Sequence, residues 1–382
     1  MDEKKLGFRQ SVALGLRYWP TFIKLLPKLY VERFNQRKEL GFPRIITVFA
    51  TERCNMRCPM CLVWKSREQF GADGETITAE SMRPVLDEAG PWGTGFYFTG
   101  GEPLMNREVP DIIAMASQRR LLTGLTTNGL LLKKRAQELL DAGLTFLSVS
   151  IDAREPVHDA NRGLEGAFAH AVAGIEAMQD IAARRRSVFP IIKLNATFFP
   201  ESLGDLEYLV ALAGRLGVAE ITFQHLSFVD DVCREPQRHY AEKLPYGDSF
   251  QGMDVGERCF SPEQIQRIAA FMANAPELEA QHGVKVGFGP STNSVEAYYT
   301  PGFPSRQSFC SIPWSELSIR ANGDLEMCHG HVIGNITSSR VHRAWKSPVA
   351  KEFRSFIARH PNAPPCYRCC ALKYHFAEGG TS

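Results

Sequence analysis

A surplus of charge of either sign is missing: 44 Lys and Arg face 42 Asp and Glu, a formal net charge of +2 over 382 residues. So near a balance implies neither nucleic acid nor a strongly acidic partner. No apolar run is long enough to cross a bilayer as a helix. The first residues also lack a charged-then-apolar stretch ending in a small-residue cleavage site, so the expected location is the cytoplasm. In a reducing compartment the ten cysteines read as metal ligands before they read as disulfides.

Those cysteines are clustered. Cys54, Cys58 and Cys61 form a C-x3-C-x2-C run directly after the apolar, β-like segment 44–51. Three thiolates at that spacing suit three corners of a [4Fe–4S] cubane and leave one iron without a protein ligand. Zinc is the structural alternative, but it prefers four closed ligands, typically in two close pairs.

The run resembles the signature of the radical S-adenosylmethionine (SAM) superfamily. The resemblance implies that the open iron is chelated by the amino and carboxylate groups of SAM. Reductive cleavage then yields methionine and a 5′-deoxyadenosyl radical, which abstracts a substrate hydrogen. It also implies an electron donor such as flavodoxin or ferredoxin. Relatives usually carry an aromatic residue before the third cysteine, near the adenine; here Met60 stands there, a polarizable side chain that can fill the same space.

Around this run the chain alternates. Apolar, β-branched stretches recur at 45–50, 95–99, 121–127, 144–151, 191–199 and 219–228, with helical patterns between them at about 79–89, 107–118, 133–142, 165–184 and 203–216. Such alternation predicts an α/β fold of parallel βαβ units. The resemblance narrows it to a partial (β/α)6 barrel, whose functional groups gather at the carboxyl ends of the strands. Residues 44–228 are the expected barrel and 1–43 an amphipathic helical extension in which Pro20 and Pro27 interrupt any single long helix. Packing of the extension on the barrel is favoured over peripheral membrane contact. Residues 229–305 are expected to be irregular apart from a helix at 262–274, and to set substrate specificity.

The second strand ends in Thr-Gly100-Gly101-Glu102-Pro, resembling the family motif that contacts the methionine amino group of SAM. Adjacent glycines admit close backbone approach. Thr126-Thr-Asn-Gly129 reads as a turn only. Ser150 and Asp152, at the end of the fourth strand, match positions that hold the ribose in relatives, and Asn195 and Gln224 are weaker candidates for the ribose or the methionine carboxylate. Arg154, His158 and Arg162 follow in a loop that either positions substrate or the SAM carboxylate, or is simply solvated.

Near the carboxyl end, Cys310, Cys328, Cys366 and Cys369 are spaced C-x17-C-x37-C-x2-C, with an Asn-Gly hairpin turn between the first two. This resembles the twitch form of the SPASM auxiliary-cluster domain, which implies four ligands for a second [4Fe–4S] cluster in residues 306–382. A zinc ribbon is the alternative. Cys370 is left as a spare, and Cys233 and Cys259 are isolated.

The expected protein is a radical SAM oxidoreductase or lyase with two [4Fe–4S] clusters and SAM, oxidising or dehydrating a small molecule such as a sugar, cyclitol or nucleotide. A peptide-modifying maturase is the first alternative, although forty residues are fewer than the leader-binding domain such members often carry. A zinc-binding interaction protein is the second.

Overall fold

The computed structural model describes residues 8–34, 40–61, 76–226, 260–300, 306–307, 310–328, 330–359 and 374–375. Seven parallel strands stand side by side in chain order: β1 (Ile45–Phe49), β2 (Gly95–Thr99), β3 (Thr123–Thr127), β4 (Phe146–Ser150), β5 (Ile191–Thr197), β6 (Glu220–Gln224) and β7 (Lys285–Gly289). Helices connect them on the outer face: α2 (Ala79–Ala89), α3 (Val109–Gln118), α4 (Leu132–Ala142), α5 (Glu155–Arg162), α6 (Ala167–Arg184), α7 (Leu206–Arg215) and α8 (Pro262–His282). This is the partial barrel expected from the alternation, with one strand more.

The seventh strand corrects the reading of residues 229–305 as irregular. Its sequence, Lys-Val-Gly-Phe-Gly, has two glycines where β-branched residues would advertise a strand. Helix α8 also runs past Pro276, beyond the expected end at 274. Its buried stripe Ile268, Phe271, Ala275 and Leu278 continues through the proline, so packing outweighs the lost backbone donor. A short helix α9 (Val295–Tyr299) follows.

Strand alternation sorts side chains into two populations. One set, including Ile46, Val48, Phe98, Leu147, Leu194, Ile221 and Phe223, is fully buried in the main core, with the helices. The other set is mostly polar and less deeply buried, and it lines the barrel lumen. Tyr97 meets Thr126 Oγ1 at 2.6 Å and Ser148 Oγ at 3.2 Å. At the amino-terminal ends of the strands, Glu220 pairs with Lys193 (2.7 Å) and Lys285 (3.3 Å).

Helix α1 (Phe8–Phe34) crosses that same end of the barrel. The two expected interruptions reduce to one kink at Tyr18, two residues before Pro20, and Pro27 lies within the helix. Tertiary anchors hold the helix around the kink. Tyr18 is fully buried and its hydroxyl meets Thr145 Oγ1 at 2.7 Å, Arg17 donates to Ser117 Oγ at 2.9 Å, and the Thr21 hydroxyl donates to the Arg120 carbonyl.

The carboxyl-terminal unit joins the same sheet. After the two-residue β8 (Arg306–Gln307) and a helical turn α10 (Ile312–Ser315), β9 (Glu316–Ile319) pairs parallel with β1, from Ile45↔Glu316 to Val48↔Ile319. The expected hairpin follows at Asn322-Gly323, where Gly323 takes φ +87°, and leads into β10 (Asp324–Glu326) and then β11 (Val332–Asn335). Helices α11 (Val341–Trp345) and α12 (Pro348–Arg359) close the unit. Trp345 is fully buried and donates through Nε1 to the Leu40 carbonyl at 2.8 Å, while Arg354 stacks on its ring at 4.2 Å. A last strand, β12 (Tyr374–His375), pairs with β8.

Candidate cluster and cofactor site

The cysteine loop leaves the carboxyl end of β1 and is seated on the loop after β2 by backbone bonds. Gly101 N–H donates to the Thr51 carbonyl at 2.8 Å and Glu102 N–H to the Arg53 carbonyl at 2.7 Å. Glycine is required twice. Gly100 has φ +130°, and a Cβ on Gly101 would stand 2.2 Å from the Arg53 carbonyl oxygen, far inside contact distance. Asn106 adds a brace, donating from Nδ2 to the carbonyls of Ala50 (2.9 Å) and Ile77 (2.7 Å).

Glu102 is part of this frame. Its buried carboxylate accepts from Leu104 N (3.0 Å), the Thr127 hydroxyl (2.8 Å) and Asn128 N (2.8 Å), tying the end of β2 to the end of β3. Burial pushes its pKa up, against these three donors. The acceptor that the sequence offers to a ligand is thus already engaged by the protein.

Cys54, Cys58 and Cys61 share one small apolar cluster with Met56, Met60 and Leu130. Burial pushes the Cys54 thiol up to about 11, with the negative charges of Glu102, Cys58 and Cys61 adding to it. Burial also raises Cys58, against the opposing charge of Arg162. The three sulfurs therefore feel one another. Yet among the described residues no three metal-ligating side chains converge on a single ion. Three thiols in one loop are one thiolate short of a closed zinc site and suit a multi-iron cluster with an open corner. Asn128, a mere turn residue by its sequence, donates to Asn55 Oδ1 at 2.8 Å and lies 4.0 Å from Cys54 Sγ.

Beside Cys58 stands a buried ion pair. Asp152 is fully buried; its Oδ2 receives Arg162 Nε at 2.7 Å and a terminal guanidinium nitrogen at 2.6 Å, and its Oδ1 accepts Thr197 N–H at 3.1 Å. Burial opposes the charge on Arg162, but Asp152 and Cys58 outweigh it and hold the guanidinium above its ordinary pKa. Both oxygens of Asp152, the expected ribose contact, are thus engaged by the protein, one by Arg162 and one by Thr197. His158 accepts Asp152 N–H through Nδ1 at 3.1 Å, which places its proton on Nε2. Burial lowers its pKa to about 4, so it is neutral near pH 7. Ser150, Asn195 and Gln224 are partly buried at alternate strand positions that face the lumen.

Cys310 and Cys328 flank the β9–β10 hairpin at its open end, beside the amino terminus of β1, whereas the Cys54 loop leaves the other end of that strand. Burial pushes Cys310 up to about 11. Cys366, Cys369, Cys370, Cys233 and Cys259 lie outside the described residues. Between the two cysteine groups runs a connection that sequence reasoning missed. Arg320 bonds Glu52 Oε1 at 3.0 Å, lies 4.0 Å from Glu326 Oε1 and covers the Phe49 ring at 4.1 Å. Its one sequence signal is its alternate position after Glu316 and Ser318.

A partial parallel barrel with three cysteines on its first loop, and a cysteine-bearing hairpin added to its first strand, is the architecture of a radical SAM iron–sulfur enzyme. Residues 48–213 match the radical SAM superfamily and residues 310–370 match the SPASM iron–sulfur cluster-binding domain; the chain belongs to the radical SAM superfamily. Fe-coproporphyrin III synthase of Methanosarcina barkeri is 26% identical over 207 residues, 54% of this chain and 48% of that protein. GTP 3′,8-cyclase of Staphylococcus aureus is 41% identical over 127 residues, 31% of this chain and 36% of that protein. The chain thus spans about half or less of the length of these curated relatives. Among solved structures, Streptococcus suis SuiB bound to its precursor peptide SuiA superposes with a TM-score of 0.62 at 12% identity, covering 90% of this chain and 74% of SuiB. SuiB has also been solved bound to S-adenosylmethionine.

Proposed function

We propose that this enzyme oxidises or dehydrates a small polar molecule held in the barrel lumen. The observation that carries the reading is the lumen itself: a polar, partly accessible wall of Tyr97, Thr126, Ser150, Asn195 and Gln224, on the five strands that follow the one bearing the cysteine loop. Cys54, Cys58 and Cys61 would hold one [4Fe–4S] cluster, and Cys310 and Cys328, with Cys366 and Cys369 from the sequence pattern, a second. When bound, these clusters and SAM supply removal of a hydrogen atom and a one-electron sink. Arg162, kept charged and oriented by Asp152, binds the SAM carboxylate. Gly100 and Gly101 let backbone approach its methionine end, and Met60 packs near the adenine. Ser150, Asn195 and Gln224 hydrogen-bond the ribose or the substrate. At a carbon bearing hydroxyl or amine, loss of a hydrogen atom, a proton and one electron leaves a carbonyl or imine; in dehydration the substrate radical instead expels the neighbouring hydroxyl as water, and the carbonyl radical left behind takes up one electron and a proton.

Two relatives with local sequence identity carry the names of small-molecule enzymes, which supports this reading. The peptide-bound structural neighbour shares the fold and favours the second reading, a peptide maturase. Anaerobic turnover with SAM and deuterated candidates separates them. Deuterium entering 5′-deoxyadenosine from a sugar, cyclitol or nucleotide supports the proposal, and transfer from a peptide alone overturns it. In the small-molecule assay Cys328→Ala should still abstract hydrogen yet yield no oxidised product.

A further inference from the structure

Helix α1 has two faces, and the anchors already described account for only one. Leu14, Tyr18 and Thr21 are buried, so the helix cannot roll. On the opposite face Val12, Leu16, Trp19, Ile23 and Leu26 are between 42% and 75% exposed, at spacings of four, three, four and three residues. They are five of the eight large apolar side chains that stand exposed among the described residues, so the exposed apolar surface of those residues is concentrated on one stripe.

Charge selects the occupant. From Phe8 to Val31 there is no Asp or Glu, while Arg9, Arg17, Lys24 and Lys28 are present. A cleft of about 430 Å³ opens beside Leu16 and Trp19 and is lined by Arg17 and by the exposed Arg120. A second copy placed on this stripe would oppose arginine to arginine with no carboxylate from the stripe between them. No described helix is long and apolar enough to cross a membrane. An exposed apolar stripe containing Trp, on a helix whose charges from Phe8 to Val31 are all cationic, is instead the form of a helix that lies on an anionic bilayer.

We infer that the α1 stripe docks this protein on an anionic phospholipid surface, with the Arg17–Arg120 cleft receiving a headgroup phosphate. Because α1 crosses the amino-terminal ends of the strands, the Cys54 loop then faces away from the bilayer. This inference is independent of the substrate proposed above.

The test is co-sedimentation of the full chain with vesicles of phosphatidylcholine alone or with about 30% phosphatidylglycerol added. Binding should appear with phosphatidylglycerol and fall at least about tenfold without it. The double variant Leu16→Glu/Ile23→Glu should lose binding by a similar factor, and Arg120→Gln by a smaller one, with unchanged circular dichroism because all three positions are exposed. Absence of binding, equal binding to both vesicle types, or wild-type binding by the double variant would overturn the inference. So would a wild-type dimer in solution that the double variant converts to a monomer, since the stripe would then be a self-interface.

Discussion

Replacing Asp152 by Asn tests the ion pair beside Cys58. Asp152 is fully buried and the Arg162 side chain is 13% exposed, so the substitution removes a charge from a pair that water scarcely reaches. The new amide also turns its NH2 toward either the guanidinium or Thr197 N–H, and both of these only donate. Breaking a buried pair on one side typically costs ~3–5 kcal/mol. For a chain of this size that is a melting-point drop on the order of 10 °C. Anaerobic thermal unfolding of the cluster-loaded protein measures it, together with SAM binding by equilibrium dialysis. The double variant Asp152→Asn/Arg162→Met removes the unpaired cation and should regain most of the stability, since a buried pair exchanged for neutral groups of similar volume is often tolerated. SAM binding should stay weak in both, because the guanidinium is misdirected in one and missing in the other. A single variant that melts within ~2 °C of wild type would refute the energetic argument. A double variant that binds SAM normally would refute the role given to Arg162.

Gly101→Ala should fold but lose the first cluster, because its Cβ would collide with the Arg53 carbonyl that seats the cysteine loop; iron analysis should fall from about eight to about four per chain. Arg320→Met should destabilise the protein by ~1–3 kcal/mol, since Glu52 and Glu326, with side chains only 11% and 15% exposed, would lose their shared cation. Chemical denaturation measures this, and an unchanged midpoint would show that the connection carries no energy.

What could be read from the sequence followed how local its cause is. The cysteine run, the Gly-Gly-Glu-Pro stretch and the Asn322-Gly323 hairpin depend on residues a few positions apart, and each appears where its pattern placed it. Strand β7 escaped because Gly287 and Gly289 remove the apolar signal; a Cβ at either would come within 2.9 Å of Glu220 or Gln224. The continuation of α8 through Pro276 escaped because tertiary packing, absent from local pattern, holds that helix. The pairing of Asp152 with Arg162 and of Glu52 with Arg320 escaped for a different reason. Each of these side chains taken singly is indistinguishable from a solvated charge, and the second pair spans 268 positions.

The parallel ladder between β1 and β9 bears on how the chain can be dissected. Truncation before Cys310 would uncover the outer edge of β1, exposing unpaired backbone donors and acceptors along Ile45–Val48 beside an apolar core. Bare edges of this kind recruit other strands. The barrel cut free of its carboxyl-terminal unit should therefore precipitate or exchange strands, and grafting a foreign auxiliary unit would require a donor strand that matches this edge residue for residue.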